Sequence, residues 1–490
     1  MPRPLSRREV LLSRCPATPP RPVAGTAAAT RSLAAPPVVT PEVHLLMRAT
    51  FGPTPAALAE LQTLGIDAWI DRQLDPESID DSAFEALLPT IVAPTASNGA
   101  DLRLLARAIY SKRQLAWRMV HFLNNHFSTN RAETTGISES NEDDTFYKLA
   151  FGSFQRVLVA SAQSPAMIDY LDSQSNIASA PNENYARELM ELHTLGVGNY
   201  TEADVAAIAR VFTGWARTNV VTGTTVTGSG FRFRSNVHDS SPKSTSLGWS
   251  TPGFSGAAGV DEGLQFLAFL AAHPATATRF VTKLCRYFVA DQPPASLVAR
   301  AIAEFTGTGG NLAATLRYIL RHPAFASPAT VRAKVHDGFE FVVNAVRRFE
   351  LPTINHSTMN TRVGVLRCPP HLCPVPIGHP DAGEAWQGAG NVLSRWDFAD
   401  DLVNDRITGA VIPWTTLFGA VPPTSGAVWA NALCDRLLDG DVPATTVLAL
   451  TVFMDARLAT LPANPTWTQV RPHARALASI VVRLPEVQLQ

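Results

Sequence analysis

After Pro37, apolar residues recur at three- and four-residue intervals, and Gly, Pro and capping residues cut the pattern into helix-sized lengths. In TPEVHLLMRATFG, Thr40 stands as an N-cap before Pro41; in TPAALAELQTLG, Thr54 and Pro55 repeat the device up to a stop at Gly65. Proline suits the first helical position because the amide hydrogen it lacks would have no intrahelical partner there. Residues 101–127, DLRLLARAIYSKRQLAWRMVHFLNNHF, hold helical spacing with no internal Gly or Pro, which predicts one long buried helix or a closely broken pair. In YTEADVAAIARVFTGW, Thr201 and Asp204 have the spacing of a capping box, and Trp215 reads as a core anchor.

The pattern changes at about Thr218. From there to Gly256 the chain is rich in Thr, Ser and Gly, with short alternations such as FRFR, and predicts a small β-hairpin or ordered loop inserted between helices. Helices resume, and two HPA triplets, at His273 and His322, close apolar helices in similar ways. A Pro-rich stretch, CPPHLCPVPIGHPDAGEAWQG, then interrupts them; inside a helical protein such a stretch covers a surface or shapes a cleft. The expected fold class is therefore mainly α, a large multi-helix body with a small inserted hairpin or loop region. Its parts are a leader (1–37), an N-terminal helical part (38–217), the hairpin insertion (218–256), a helical part (257–350), the Pro-rich irregular segment (351–390) and a C-terminal helical part (391–490).

Composition narrows the partners. Forty-one Lys and Arg nearly balance 42 Asp and Glu in 490 residues, so no net field favours nucleic acid. No apolar run approaches the roughly 18 residues of a membrane span. Five cysteines exclude a disulfide-dense framework, with Cys368 and Cys373 the pair best placed for a bridge; His371 between them offers metal ligation as the alternative. The N-terminal SRREVL resembles the core of a twin-arginine (Tat) export signal at Arg7 and Arg8, which implies a periplasmic or secreted protein. Arg14, Pro16, Pro19 and Pro20 interrupt the apolar stretch such a signal needs, so a disordered basic leader on a cytoplasmic protein is the other reading.

Candidate chemistry concentrates in PNENYARELMELHTLGVGNYTEADV, residues 181–205. Wound at about 100° per residue, Glu183, Asn184, Arg187, Glu188 and Glu191 share one arc. Glu183 with Arg187, and Arg187 with Glu191, have the spacing of a charge ladder worth roughly 0.2–0.5 kcal/mol per pair, which accounts for much of that arc without any ligand. Asn182, Asn184 and Glu188 are left over. Glu188 and Glu191, three apart, repel unless Arg187 or another cation neutralises them, so they are the candidate ligands of a divalent cation. His121 and His126, five apart on a helix, diverge by about 140° and cannot share one ion. Loop residues His238 and Asp239 in HDSSPK complete the polar groups that packing explains least.

RATFGPT, FLNNHF, QSPAMIDYLDSQSN, PNENYARELMELHTLGVGNYTEADVAAIARVFTGW, HDSSPKSTSLG and HPATATRFVTKLCRYFV, in that order, resemble the bacterial family known as domain of unknown function 1800. The resemblance implies a mainly helical, often exported protein, frequently encoded beside a secreted phosphatase- or sulfatase-like family, domain of unknown function 1501. It brings no established reaction. Two functional classes follow. One is a cleft enzyme, a hydrolase or transferase on a glycan or other extracellular polymer, with Glu188, His126, His238 and Asp239 catalytic, Asn125, Asn182, Asn184 and Arg187 binding substrate, and Glu188 with Glu191 holding the cation. The other is a non-catalytic scaffold or binding partner for a protein of the neighbouring family.

Overall fold

The computed structural model describes residues 39–92, 98–222 and 225–490; the leader, with its twin-arginine motif and Cys15, lies outside them. The described residues form 22 α-helices, and the strands among them form two antiparallel pairs, Trp215–Thr222 with Thr225–Phe233 and Lys243–Ser244 with Ser250–Thr251. The mainly α class and the small β insertion are both as the sequence pattern implies.

Local chemistry sets the helix boundaries. Thr40 and Thr54 accept hydrogen bonds from the amides of Val43 and Ala57, and each is followed by Pro at the first helical position. Thr201 and Asp204 form the reciprocal capping box. His273 ends one helix and caps the next, its side chain accepting from the amide of Ala275. The long 101–127 pattern resolves into the broken pair, Gly99–Tyr110 and Gln114–His126. Asp81 fixes the break: its carboxylate accepts from the Ser111 hydroxyl and, at 3.1 Å, from the Lys112 amide.

One apolar core runs through the molecule from Leu45 to Val482. Trp117, Trp215 and Trp429 are among its largest buried side chains. Helix Gln114–His126 lies within it, with Leu115, Met119, Val120 and Leu123 fully buried. Helix Gly338–Arg348 and the end of helix Pro274–Phe288 pack beside it through the stacked His121 and Phe339 rings and the Phe122–Tyr287 contact. The Pro-rich segment crosses this meeting point, and the backbone of Leu372 bridges to Asn130 just beyond the helix end.

Candidate functional site

The crossing leaves a narrow cavity of about 50 Å³, lined by His121, Asn125, Tyr287, Asp337 and Glu340 on the helical side and by Cys368, His371, His379 and Trp386 on the Pro-rich side. Two locks hold the cover in place. Asn125 pairs with the backbone of His379 through both ends of its amide, accepting from the His379 amide at 2.6 Å and donating to its carbonyl at 3.0 Å. Gly378 makes that approach feasible, since it sits at φ +81° and a Cβ there would fall 2.3 Å from the Asn125 carbonyl oxygen. The second lock is ionic: the buried His371 ring reaches Asp101 at 3.1 Å through Nδ1 and Asp143 at 3.0 Å through Nε2. Burial opposes charge on this imidazole, but the carboxylates of Asp143 and Asp101 outweigh it and raise its pKa well above 6.5.

The cavity floor is built by a helix start. Asp337 caps helix Gly338–Arg348, its Oδ1 accepting from the Glu340 amide at 2.7 Å while Glu340 Oε2 accepts from the Asp337 amide at 3.2 Å. The reciprocal bonds place two carboxylates side by side in the protein interior. His121 comes in from the neighbouring helix; its Nδ1 lies 2.9 Å from the Tyr287 hydroxyl and its Nε2 3.9 Å from Asp337 Oδ2. Ligand atoms of His121, Asp337 and Glu340 lie within 4.8 Å of one another, and this is the group of three or more potential metal-ligating side chains found among the described residues.

Charges around the floor are strongly coupled. Arg118, buried and lying 4.5 Å above the Tyr287 ring, pairs with Glu340 Oε1. Burial disfavours the Glu340 carboxylate, yet Arg118, helped by His336 and His121, holds its pKa well below the usual range. Asp337, buried beside that negative charge without an equally close cation, is pushed up to about 7. Burial lowers His121 to about 3, so its ring is neutral.

Of the residues given catalytic, substrate-binding or cation-binding roles from the sequence, Asn125 lines the cavity, as do Cys368, His371 and Cys373 of the candidate bridge or metal site, and the others sit elsewhere. His126 points away from His121, as the five-residue spacing requires; its Nε2 meets the His193 carbonyl at 3.0 Å, and its ring packs against Phe127 and Phe280. Asn182 and Asn184 order a loop: Asn182 donates to the Ser175 hydroxyl at 2.8 Å and accepts from the Asn184 amide at 2.9 Å. Asp239 receives the guanidinium of Arg210 at 2.7 Å. His238 contacts the Thr213 carbonyl at 2.9 Å and lies 3.6 Å from Glu262.

The charge ladder is extended beyond the helix: Arg187 pairs with Glu183 at 2.9 Å, as the i,i+4 spacing implies, and with Glu202 of the following helix at 2.7 Å. The helix changes pitch after Glu188, where Leu189–His193 forms a π-turn, so a uniform 100° per residue does not hold across Glu191. Both Glu188 and Glu191 are buried, Glu191 accepting from the Tyr200 hydroxyl at 2.9 Å. Neither belongs to the three-ligand group. The expected Cys368–Cys373 bridge is also not formed, since Cys368 is a free thiol.

Sequence reasoning missed His121, Tyr287, Asp337 and Glu340 as a set. One signal was available: DGFE, an Asp with Glu three residues later before the apolar run FVVNAV, is a capping box at Asp337 and Glu340. Its meeting with His121 depends on tertiary packing.

Fold and site together define a mainly helical protein with a polar cavity closed by a Pro-rich cover. The chain belongs to the DUF1800 family, described as a protein of unknown function, whose model matches residues 44–489. No curated protein and no solved structure matches the chain.

Proposed function

We propose that the chain is an enzyme, a hydrolase or transferase whose chemistry takes place at the cavity floor formed by His121, Asp337 and Glu340. The observation that carries this reading is the convergence of three proton-accepting groups on one water-accessible point, backed by a Tyr287 hydroxyl that fixes the imidazole. Asp337, whose proton affinity burial raises to about 7, is the group at the floor matched to taking a proton from a water near neutral pH, with the neutral His121 imidazole beside it to orient that water.

The cavity size limits the substrate. About 50 Å³ accommodates a few waters or one small substituent, far less than the roughly 300 Å³ at the lower end of small-molecule pockets. A glycan or other polymer would therefore present a side group, such as an ester, rather than a whole ring. Lys334 on the lining donates to Asp291 at 2.7 Å and to the Asp381 carbonyl at 3.4 Å, and the third hydrogen of its ammonium is a donor for an oxygen-bearing group. Neutral overall charge fits an uncharged polymer better than a polyanion, and the twin-arginine motif fits an exported enzyme.

Purified full-length protein, assayed against a panel of acylated glycans, glycosides and simple esters, tests the proposal with His121→Gln as the paired control. Turnover by the parent that drops at least 100-fold in the folded variant supports the assignment. Turnover that is unchanged in His121→Gln moves the chemistry elsewhere, and no turnover across the panel favours the scaffold reading.

A further inference from the structure

From the donor geometry at the cavity floor we infer a binding site for one divalent transition-metal ion, of the Zn²⁺ or Mn²⁺ type, with His121 Nε2, Asp337 and Glu340 as its protein ligands. The site deepens the catalytic reading above, because it shares the same cavity, but the binding itself can be measured without turnover.

Lone-pair accounting makes the case. The Tyr287 hydroxyl occupies His121 Nδ1 at 2.9 Å. Nε2 faces Asp337 Oδ2 at 3.9 Å, beyond hydrogen-bonding distance, although the histidine is only 8% exposed. Asp337 uses Oδ1 for the Glu340 amide and directs Oδ2 toward His121. A carboxylate offers about four lone-pair positions. Glu340 spends three, on Arg118, on Gln490 Nε2 at 2.7 Å and on the Asp337 amide at 3.2 Å, so one remains. In the tautomer with Nδ1–H donating to Tyr287, the Nε2 lone pair, Asp337 Oδ2 and the remaining Glu340 position lie within 4.8 Å of one another. A shared positive centre, coordinated by all three, resolves that arrangement.

The donor set selects the ion. One imidazole and two carboxylates suit zinc and manganese, whereas magnesium and calcium prefer oxygen ligands throughout. Metal–ligand bonds of about 2.0–2.2 Å put adjacent ligand atoms about 3.0–3.5 Å apart, so the His121–Asp337 pair at 3.9 Å must close by roughly half an ångström and any pair near the 4.8 Å limit by more than about 1 Å, through rotation of the carboxylate side chains. Tyr287 plays the orienting role that second partners of ligating histidines commonly play. Arg118 offsets one of the two carboxylates and Arg48, Arg395 and Lys334 also act on the pair, so a divalent ion makes the floor net positive and calls for a hydroxide or an anionic group from the cavity to complete its coordination. Gln490 Nε2 donates to the same carboxylate at 2.7 Å and holds its orientation.

Full-length protein is stripped with chelator, loaded separately with Zn²⁺, Mn²⁺, Mg²⁺ or Ca²⁺, desalted and measured by elemental mass spectrometry, with affinity from chelator competition. The expected result is about one Zn²⁺ or Mn²⁺ per chain, with little Mg²⁺ or Ca²⁺. Asp337→Asn and His121→Gln should each weaken binding at least 30-fold, while Glu188→Gln leaves it unchanged. Melting curves and circular dichroism establish that each variant is folded, and the conservative His121→Asn provides a second substitution should His121→Gln fail to fold. Substoichiometric metal in the parent, equal affinity in Asp337→Asn, or loss of binding in Glu188→Gln would each overturn the assignment. Turnover that persists in the stripped protein would overturn a catalytic role for the ion while leaving the cavity enzyme reading intact.

Discussion

Two buried histidine–carboxylate clusters in this protein look alike as lists of residues and differ in what surrounds them. In the first, Glu262 is fully buried and accepts from Lys243 Nζ at 2.6 Å, with His238 Nε2 at 3.6 Å. Packing closes it completely: a Cβ on Gly259 would fall 2.5 Å from His238 Cδ2 and 2.9 Å from Phe233 Cζ. In the second, His121, Asp337 and Glu340 also crowd together, but they front a cavity and keep acceptor positions turned toward it. A cluster whose charges are internally cancelled and sealed serves to fix the β insertion onto the helix that follows. One left short of donors, beside space for water, has something to offer a ligand.

The sharpest way to break this contrast is to remove the cation from the sealed cluster. Lys243→Met leaves the Glu262 carboxylate buried without its ammonium partner and should cost about 3–5 kcal/mol in urea unfolding. A loss below about 1 kcal/mol would mean that water reaches Glu262 and the cluster is not sealed. His371→Asn tests the cover at about 1.5–3 kcal/mol, because it removes the charged partner shared by Asp101 and Asp143 and leaves them Arg131 and Asn124 respectively. Asn is the appropriate replacement since His371 has φ +55°, a conformation Asn tolerates. The pH signature is distinctive. With its folded pKa raised, His371 contributes its full stabilisation below the unfolded value of about 6.5, and the contribution is lost as pH rises through the folded value. The stability gap between parent and variant should therefore be flat in acid and narrow in alkali; a gap that widens with pH would contradict an imidazolium held between two carboxylates. Gly259→Ala follows with about 1–3 kcal/mol, the usual cost of forcing a methyl group into a packed core, read as a lower melting temperature.

The helices were legible in the sequence because their signals are local. Thr40, Thr54 and Thr201 each cap the helix that their spacing announces, and Trp215 is anchored in the core. The site was much less legible. Asn125 was found, and the Pro-rich segment does cover a cleft, but the acidic segment around Glu188 drew attention for its composition. Its reading assumed a uniform 100° per residue, and the π-turn at Leu189–His193 breaks that assumption within one turn. Arg118 and Glu340, by contrast, are 222 positions apart and carry no mutual signature in a single chain. Capping boxes can be read by eye; which histidine a given box will face is decided by helix packing.

The smallest expected stability change is also the most discriminating. Asp337→Asn keeps an oxygen able to accept from the Glu340 amide, and Asn and Asp are about equally good helix caps, so unfolding should shift by less than about 1 kcal/mol. The amide nitrogen it introduces can turn a donor toward His121 Nε2, where the parent presents an acceptor at 3.9 Å. A residue kept only for structure should therefore tolerate this change in every assay. If the open cluster is a functional centre, Asp337→Asn must separate the two readouts, leaving the melting temperature within a few degrees of the parent while ligand binding and turnover collapse. The sealed cluster predicts the reverse for Lys243→Met, with large instability and, in whatever fraction stays folded, a cavity floor that still binds. Parallel losses of stability and binding in both variants would erase the distinction between the two regions.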